Sequence, residues 1–157
     1  MARIKSQGTK IYALVAGAIV RFSCYKDVDL GQDSTSKIDV TCRDADEKSY
    51  EKGVTDPGEG SLTVQLDDEN ASHANILELA ESGQELKWFV GDKGDGAEPT
   101  VTAGTGVVTL PKTRNWVTFI GYLNKAAPTM ADNDVWTYAF PLVRTSSVTT
   151  ILRDTTP

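Results

Sequence analysis

Hydrophobic and polar residues alternate over much of the chain, with the period of two that is typical of half-buried β-strands. The alternation is clearest in residues 61–67, where Leu62, Val64 and Leu66 fall on one face. Two earlier predicted strands, in residues 18–28 and 36–44, would turn Val20, Phe22, Cys24, Ile38, Val40 and Cys42 inward. Further strand candidates, rich in β-branched and aromatic residues, are 85–91, 107–111, 115–123, 135–145 and 147–153.

One segment, about residues 70–82, has the pattern of a helix, with apolar residues at helical spacing. That stripe consists of Ala74, Ile76, Leu77 and Ala80. Asn70 or Asp68 is suited to cap its start, and Gly83 to end it. His73 lies early in this helix, and we expect it at the surface or half-buried. Seven or so strands with one helix predict a mainly β (α+β) fold, mostly antiparallel, with the helix covering one opening or face.

Two segments interrupt this pattern. Residues 1–17 have weak periodicity and predict an N-terminal arm, and residues 44–60 (or 43–60) predict a long loop. Within the loop, "DPGEG" at 56–60 does not fit a phosphate-binding loop, because no Lys follows it and the chain runs into a strand. Pro57 and the glycines are therefore expected to make a turn.

The chain has 157 residues, which suits a single domain over 1–157, and a net charge of −6. That charge argues against tight binding of nucleic acid. The charge is uneven, at +5 for residues 1–26 and −9 for residues 27–69. A basic leading segment and an acidic middle can attract each other within one molecule or, head to tail, between molecules.

No pattern for chemistry or for a cofactor is found. Cys24 and Cys42 are expected to be buried, reduced thiols, and with the single His73 they do not make a zinc ligand set. We therefore predict no catalytic, cofactor-binding or metal residues, and no enzyme. The apolar stretch after Lys10 is too short for a signal peptide, so a soluble, cytoplasmic protein without a membrane partner is expected.

Several segments resemble the major tail tube proteins of long, non-contractile-tailed bacteriophages. They are "QGTKIYAL", "DVDLGQDSTSKIDVTCRDADEKSY", "DPGEGSLTVQLDDENASHANILELAESGQELKWFVG" and "LPKTRNWVTFIGYL", and the similarity is strongest over residues 7–91 and 108–123. The resemblance implies a β-sandwich or half-barrel with a flanking helix. It also implies rings of six subunits that stack into the tube through which DNA is ejected into the host.

The resemblance further implies self-association and contacts with the tape measure protein, the tail terminator and the distal tail or baseplate proteins. DNA would pass without tight binding, in a virion tail assembled in the host cytoplasm. The arm of one subunit would then contact the long loop of another. From charge, the candidate contact residues are Arg3, Lys5 and Lys10 in the arm and Asp44, Asp46, Glu47 and Glu51 in the loop.

Two alternatives stay open at this point. The first is a tube protein of a contractile tail or of a type VI-like secretion system, which shares the architecture. The second is a monomeric carbohydrate-binding β-sandwich that presents Trp88, Trp116 and Trp136 to a sugar, although packing in the core is the favoured role of these tryptophans.

Overall fold

A computed structural model describes residues 3–102 and 104–154. The described residues form twelve strands and one helix, so the predicted mainly β, antiparallel fold with a single helix is confirmed. The elements are β1 (Lys10–Val15), β2 (Ala18–Phe22), β3 (Tyr25–Asp29), β4 (Ser34–Asp39), β5 (Tyr50–Asp56), β6 (Glu59–Gln65), α1 (Ala71–Ser82), β7 (Leu86–Gly91), β8 (Thr100–Val101), β9 (Val108–Thr109), β10 (Trp116–Leu123), β11 (Thr137–Arg144) and β12 (Thr149–Ile151).

Eight strands form one sheet in the order β2-β1-β7-β10-β11-β6-β3, with β12 also paired to β10. β12 and the end of β11 share one side of β10, because Thr118 faces Thr149 while Gly121 faces Arg144. The edge strands β2 and β3 follow one another in sequence, with only Ser23 and Cys24 between them. The sheet therefore bends round until its two edges meet at this connection.

The prediction that residues 1–17 form an N-terminal arm is wrong for the second half of that segment. Lys10–Val15 forms β1, which pairs with β2 on one side and β7 on the other. Ile11, Tyr12 and Ala13 are all buried, because both faces of β1 are covered. A strand buried on both faces does not alternate, so periodicity did not reveal it.

The predicted loop of residues 44–60 is also too long. Residues 50–56 form β5, which pairs with β4 in a two-stranded sheet of its own. This β4–β5 hairpin projects from the body, and the inward positions predicted for Ile38, Val40 and Cys42 are wrong, since all three are exposed. Cys24 is exposed as well, so the expectation of two buried thiols is incorrect.

The core has two parts that share the strands β1, β7 and β10. The larger lies inside the bent sheet and beneath α1, and includes Phe22, Trp88 and Phe119. The smaller lies on the opposite face, where Tyr12, Phe89 and Trp116 pack together under the hairpin β8–β9. Trp88 and Trp116 are thus core residues as predicted, whereas Trp136 is exposed.

The helix is where the sequence predicts it, and Asn70 caps it by accepting a hydrogen bond from the Ser72 amide. His73 is buried, which the sequence analysis did not expect. Its Nδ1 accepts from the Asp67 amide at 3.0 Å, so Nε2 donates to the Ser23 carbonyl at 3.0 Å. His73 thereby ties the helix start to the connection between β2 and β3.

Substitution of His73 by Ala is expected to lower the free energy of unfolding by about 2–4 kcal/mol. The change empties a buried site and leaves the part-buried Asp67 amide and Ser23 carbonyl without their partner. Chemical denaturation followed by tryptophan fluorescence measures it. Glu78→Ala, on the exposed side of the same helix, is the matched control and should change stability by less than about 0.5 kcal/mol. Equal effects of the two substitutions would contradict the structural role of His73.

Candidate assembly surfaces

The β4–β5 hairpin continues the ladder between β3 and β6 beyond the main sheet. Asp29 faces Ser61 within the sheet, and Ser34 faces Asp56 in the hairpin, so both ladders keep one register. The predicted turn at residues 56–60 is wrong, because the chain passes from β5 to β6 without reversing.

Glycines allow the two strands to approach closely at the base of the hairpin. A Cβ on Gly60 would lie 1.8 Å from the Asp29 carbonyl oxygen, and one on Gly58 would lie 2.4 Å from the Gln32 carbonyl oxygen. Either distance is far below a van der Waals contact. The glycines of "DPGEG" therefore serve close packing of backbone on backbone.

One buried arginine holds this base. The Arg144 guanidinium donates to the carbonyls of Leu30 at 2.7 Å, Ser146 at 3.1 Å and Gly31 at 3.4 Å, and Nη2 lies 2.6 Å from Asp33 Oδ1. Its hydrogen bond to Asp33 is the largest cause that lowers the pKa of that carboxyl. The chain that leads into β4 is thus fixed to the body where the hairpin leaves it.

The hairpin itself has apolar side chains exposed on both faces. Cross-strand partners point to the same side of a ladder, so Tyr50 lies on one face with Lys37 and Lys52, and Ile38 and Val40 lie on the other. The register shifts between Lys52 and Thr55, so Val54, which is adjacent to Thr55, lies on the face of Ile38. Val54 is 83% exposed and Tyr50 is 49% exposed. A ladder with two apolar faces and no cover within the described chain is typical of a segment that packs against another molecule.

The acids predicted for inter-subunit contact lie on this hairpin. Asp44, Asp46 and Glu47 are exposed in the connection between β4 and β5, and Glu51 is exposed on β5 opposite Ile38. Asp44, Asp46 and Glu47 therefore lie at the end of the projecting hairpin, and Glu51 lies close to that end on β5.

The predicted basic partners lie elsewhere and do not form one group. Arg3 and Lys5 are exposed beside a groove of about 920 Å³, to which Lys93 and Arg153 also contribute. Lys10 is part of β1, opposite Gly91, and so does not belong to a free arm. Among the described residues, no ion pair joins any of these three bases to the four acids.

A second buried arginine, Arg114, was not singled out from the sequence. It stacks on Trp116, with its guanidinium carbon 4.7 Å from the ring centroid, and its Nε donates to the Asp92 carbonyl at 2.9 Å. It also bonds the Ala97 carbonyl. Arg114 thereby fixes the glycine-rich loop after β7 over the smaller core.

The sequence analysis also missed an exposed apolar patch in the connection between β10 and β11. Met130, Val135 and Trp136 are exposed there by 58%, 49% and 51%. The Trp136 carbonyl accepts from the Leu66 amide at 2.9 Å, which places the patch beside the end of β6. The sequence feature that could have indicated this patch is the dense run of polar residues around it. Such a run is unusual beside a strand that enters a core.

Groups that could support metal chemistry or membrane insertion are not found in the part of the chain that the structure describes. No cluster of three or more His, Cys, Asp or Glu residues could hold a metal ion within residues 3–102 and 104–154. Over the same residues, the single helix is neither long nor apolar enough to cross a bilayer.

The described residues thus combine a bent antiparallel sheet, one flanking helix and a projecting hairpin. Residues 2–154 match the family model for the phage tail tube protein of lambda-like type, and the chain belongs to that family. It is therefore a structural protein of a phage tail tube and a component of the virion tail. The resemblance predicted from the sequence is confirmed.

Individual relatives agree with this assignment. The chain is 27% identical over 139 residues to "Structural protein 3" of Pseudomonas phage PAJU2, covering 85% of each chain. Its fold is similar to the SPP1 tail tube, with a TM-score of 0.64 at 12% identity over 98% of this chain and 82% of that one. It is also similar to a chain of a GTA particle tail refined with C6 symmetry, with a TM-score of 0.62 at 9% identity over 94% and 98%.

Loss of the Arg144 side chain is expected to release the base of the hairpin. Arg144→Ala leaves three carbonyls and a carboxylate without their donor, and should lower the free energy of unfolding by about 3 kcal/mol. Limited proteolysis within residues 34–56 should become faster than in the wild type. Arg153→Ala, at an exposed arginine, is the control; equal proteolysis of the two variants would contradict this role for Arg144.

Acid should weaken the same contact. The pKa of Asp33 is lowered from 3.8 in the folded protein, so its stabilising effect is complete above that value and is lost as the pH falls through the lowered pKa. Thermal unfolding from pH 5 to pH 2 measures this, and Asp33→Asn should remove part of the acid-induced fall in melting temperature. An unchanged pH profile in Asp33→Asn would contradict it.

Proposed function

We propose that this protein self-assembles into rings of six subunits, and that the rings stack into the tube through which the phage genome passes into the host. The observation that carries this proposal is the projecting β4–β5 hairpin, whose apolar side chains are exposed on both faces. Membership of the tail tube family and the C6 symmetry of the similar GTA tail support it. The match over residues 2–154 also supports a single domain.

The two edges of the sheet, which are not hydrogen-bonded to each other, favour closure between subunits. The edge strands β2 and β3 each have a partner on one side only. An unpaired edge readily pairs with another chain, and a closed ring removes such edges. In a ring, the edge of one subunit would meet the edge of the next and produce a continuous β-lined wall.

The net charge of −6 suits passage of DNA. A negatively charged subunit repels phosphate groups and so avoids the tight binding that clustered Lys and Arg would cause. The role is structural, with no enzymatic activity. Its further partners would be the tape measure protein, the tail terminator and the distal tail proteins, met in the host cytoplasm during assembly.

The two alternatives are less well supported. Membership of the lambda-like family favours a non-contractile tail over a contractile one or a secretion tube. A sugar-binding platform of three tryptophans is disfavoured, because Trp88 and Trp116 are buried and only Trp136 is exposed.

The basic N-terminal residues and the acidic end of the hairpin would meet between subunits. Arg3 and Lys5 are exposed beside Lys93 and Arg153, so this region presents positive charge to a neighbour. Asp44, Asp46 and Glu47 lie in the connection between β4 and β5, at the end of the projecting hairpin. Lys10 could take part in such a contact only from its fixed position at the start of β1.

Electron microscopy of negatively stained protein at high concentration, with a parallel sedimentation profile, tests the proposed function. Hollow tubes or stacked rings with six-fold end views are the expected result. A protein that stays monomeric at every concentration, alone and with tail initiator proteins, would contradict the proposal, and glycan binding would then be tested.

The electrostatic contact is tested by reversing the charge of the arm. Arg3→Glu with Lys5→Glu should slow polymerisation, because the substituted arm repels the acidic end of the hairpin. Light scattering at low and high salt measures the rate, and the difference from wild type should shrink at high salt. Arg3→Lys with Lys5→Arg keeps the charge and serves as control. If the charge-reversed variant polymerises as fast as wild type, the proposed electrostatic contact is wrong.

A further inference from the structure

The connection between β10 and β11 has the composition of a binding surface. Met130, Val135 and Trp136, which we call the tryptophan patch, lie within seven residues and are each about half exposed. Tryptophan and methionine are enriched at the centres of protein interfaces, and a Trp seated in a partner often dominates the binding energy. An exposed group of this kind is unusual on a free surface.

The tryptophan patch and the β4–β5 hairpin lie at opposite ends of the same strands. Gln65 at the end of β6 faces Thr137, which directly follows Trp136. At the other end of β6, Glu59 faces Val143, and the hairpin leaves the sheet there. In a head-to-tail assembly, opposite ends of successive copies come together. The position of the patch therefore matches that of a receptor for the hairpin of another copy.

The surroundings of the tryptophan patch are acidic. Two carboxylates lie within the connection itself, and three more follow β6 at the same end. These exposed residues are Asp132, Asp134, Asp67, Asp68 and Glu69. The nearby Lys125 is engaged with Glu81 on the helix, at 3.5 Å. A partner for this surface would therefore combine apolar side chains with positive charge.

One face of the hairpin has that combination. Lys37 and Lys52 lie directly opposite each other and share a face with Tyr50. Lys37 Nζ lies 5.1 Å from the centroid of the Tyr50 ring. Like charges in direct cross-strand opposition destabilise a ladder, and an anionic neighbour would relieve this repulsion. Asp39 lies on the same face, where it accepts from the Thr41 amide at 2.9 Å.

We propose that the tryptophan patch of one copy binds the Lys37–Lys52 face of the hairpin of a second copy. Trp136, Met130 and Val135 pack on Tyr50. The two lysines meet the surrounding carboxylates. This contact rests on the proposed function, and it adds a second pair of surfaces to the contact between the basic N-terminal residues and the acidic end of the hairpin.

Charge reversal on each side, separately and together, tests the contact. The reversed forms are Lys37→Glu with Lys52→Glu, and Asp132→Lys with Asp134→Lys. Each alone should raise the critical concentration for assembly about tenfold or more, and the four changes in one chain should restore it to within about threefold of wild type. Rescue of this kind is not expected from a folding defect. A combined variant that assembles no better than the weaker single form would overturn the proposal.

Conservative variants control for charge-independent effects. Lys37→Arg with Lys52→Arg, and Asp132→Glu with Asp134→Glu, should assemble like wild type. Trp136→Ala should reduce assembly about tenfold or more while the monomer keeps its melting temperature. Trp136→Phe should reduce assembly by a smaller factor. Wild-type assembly by Trp136→Ala would overturn the role of the patch.

A photo-crosslinking amino acid at position 136 identifies the occupant. Isotopically light, probe-bearing chains are mixed with heavy wild-type chains, assembled, irradiated and digested. The expected product joins position 136 to a heavy peptide from residues 34–56. Tubes that crosslink position 136 to another segment, or not at all, would overturn this inference and leave the proposed function intact. Wild-type protein that forms no tubes would overturn both.

Discussion

The hairpin depends on the burial of one guanidinium. A two-stranded ladder is only marginally stable by itself in water, and β4–β5 extends beyond any layer that could cover it. Arg144 compensates at the base, where it joins the backbone of residues 30–31, the Asp33 carboxylate and the start of the segment after β11. The close approach at Gly58 and Gly60 requires the same geometry. The projecting surface is therefore positioned by the body, although its own side chains make few contacts there.

The remainder of the subunit is built as a stiff wall. Three neighbouring strands, β1, β7 and β10, have a core on each face. Arg114 fixes the loop that covers one face, and the helix covers the other, with His73 fastened to the strand connection. Rigid strands with an exposed hairpin at one end and an exposed tryptophan at the other suit a subunit that joins copies of itself. Family membership gives this arrangement its role in a tail tube.

Much of the fold could be predicted from alternation and helix capping. The strands β6, β7 and β10 and the helix lie where the pattern places them, because each has one buried face or one apolar stripe. The strand β1 was missed, since a strand buried on both faces does not alternate. The hairpin was wrongly predicted for the opposite reason. Its alternating Ile38 and Val40 predict burial, yet no other part of residues 3–102 and 104–154 covers them.

The site residues show a similar division. Charge alone placed Asp44, Asp46 and Glu47 on a segment that does project, but it could not distinguish the exposed Lys5 from Lys10, which is held in a strand. Trp136 could not be separated from the two core tryptophans, because all three occur in runs of β-forming residues. Arg144 acts through contacts with backbone more than one hundred positions away in sequence, and no local pattern reveals those.

The central claim is that the β4–β5 hairpin is a surface completed by another copy of the chain. Hydrogen–deuterium exchange of the free subunit and of the assembled protein, resolved for residues 34–56, tests it most directly. We expect the hairpin amides to exchange rapidly in the free subunit and to become strongly protected on assembly, while the amides of β1, β7 and β10 are protected in both states. Equal exchange of the hairpin before and after assembly would contradict it.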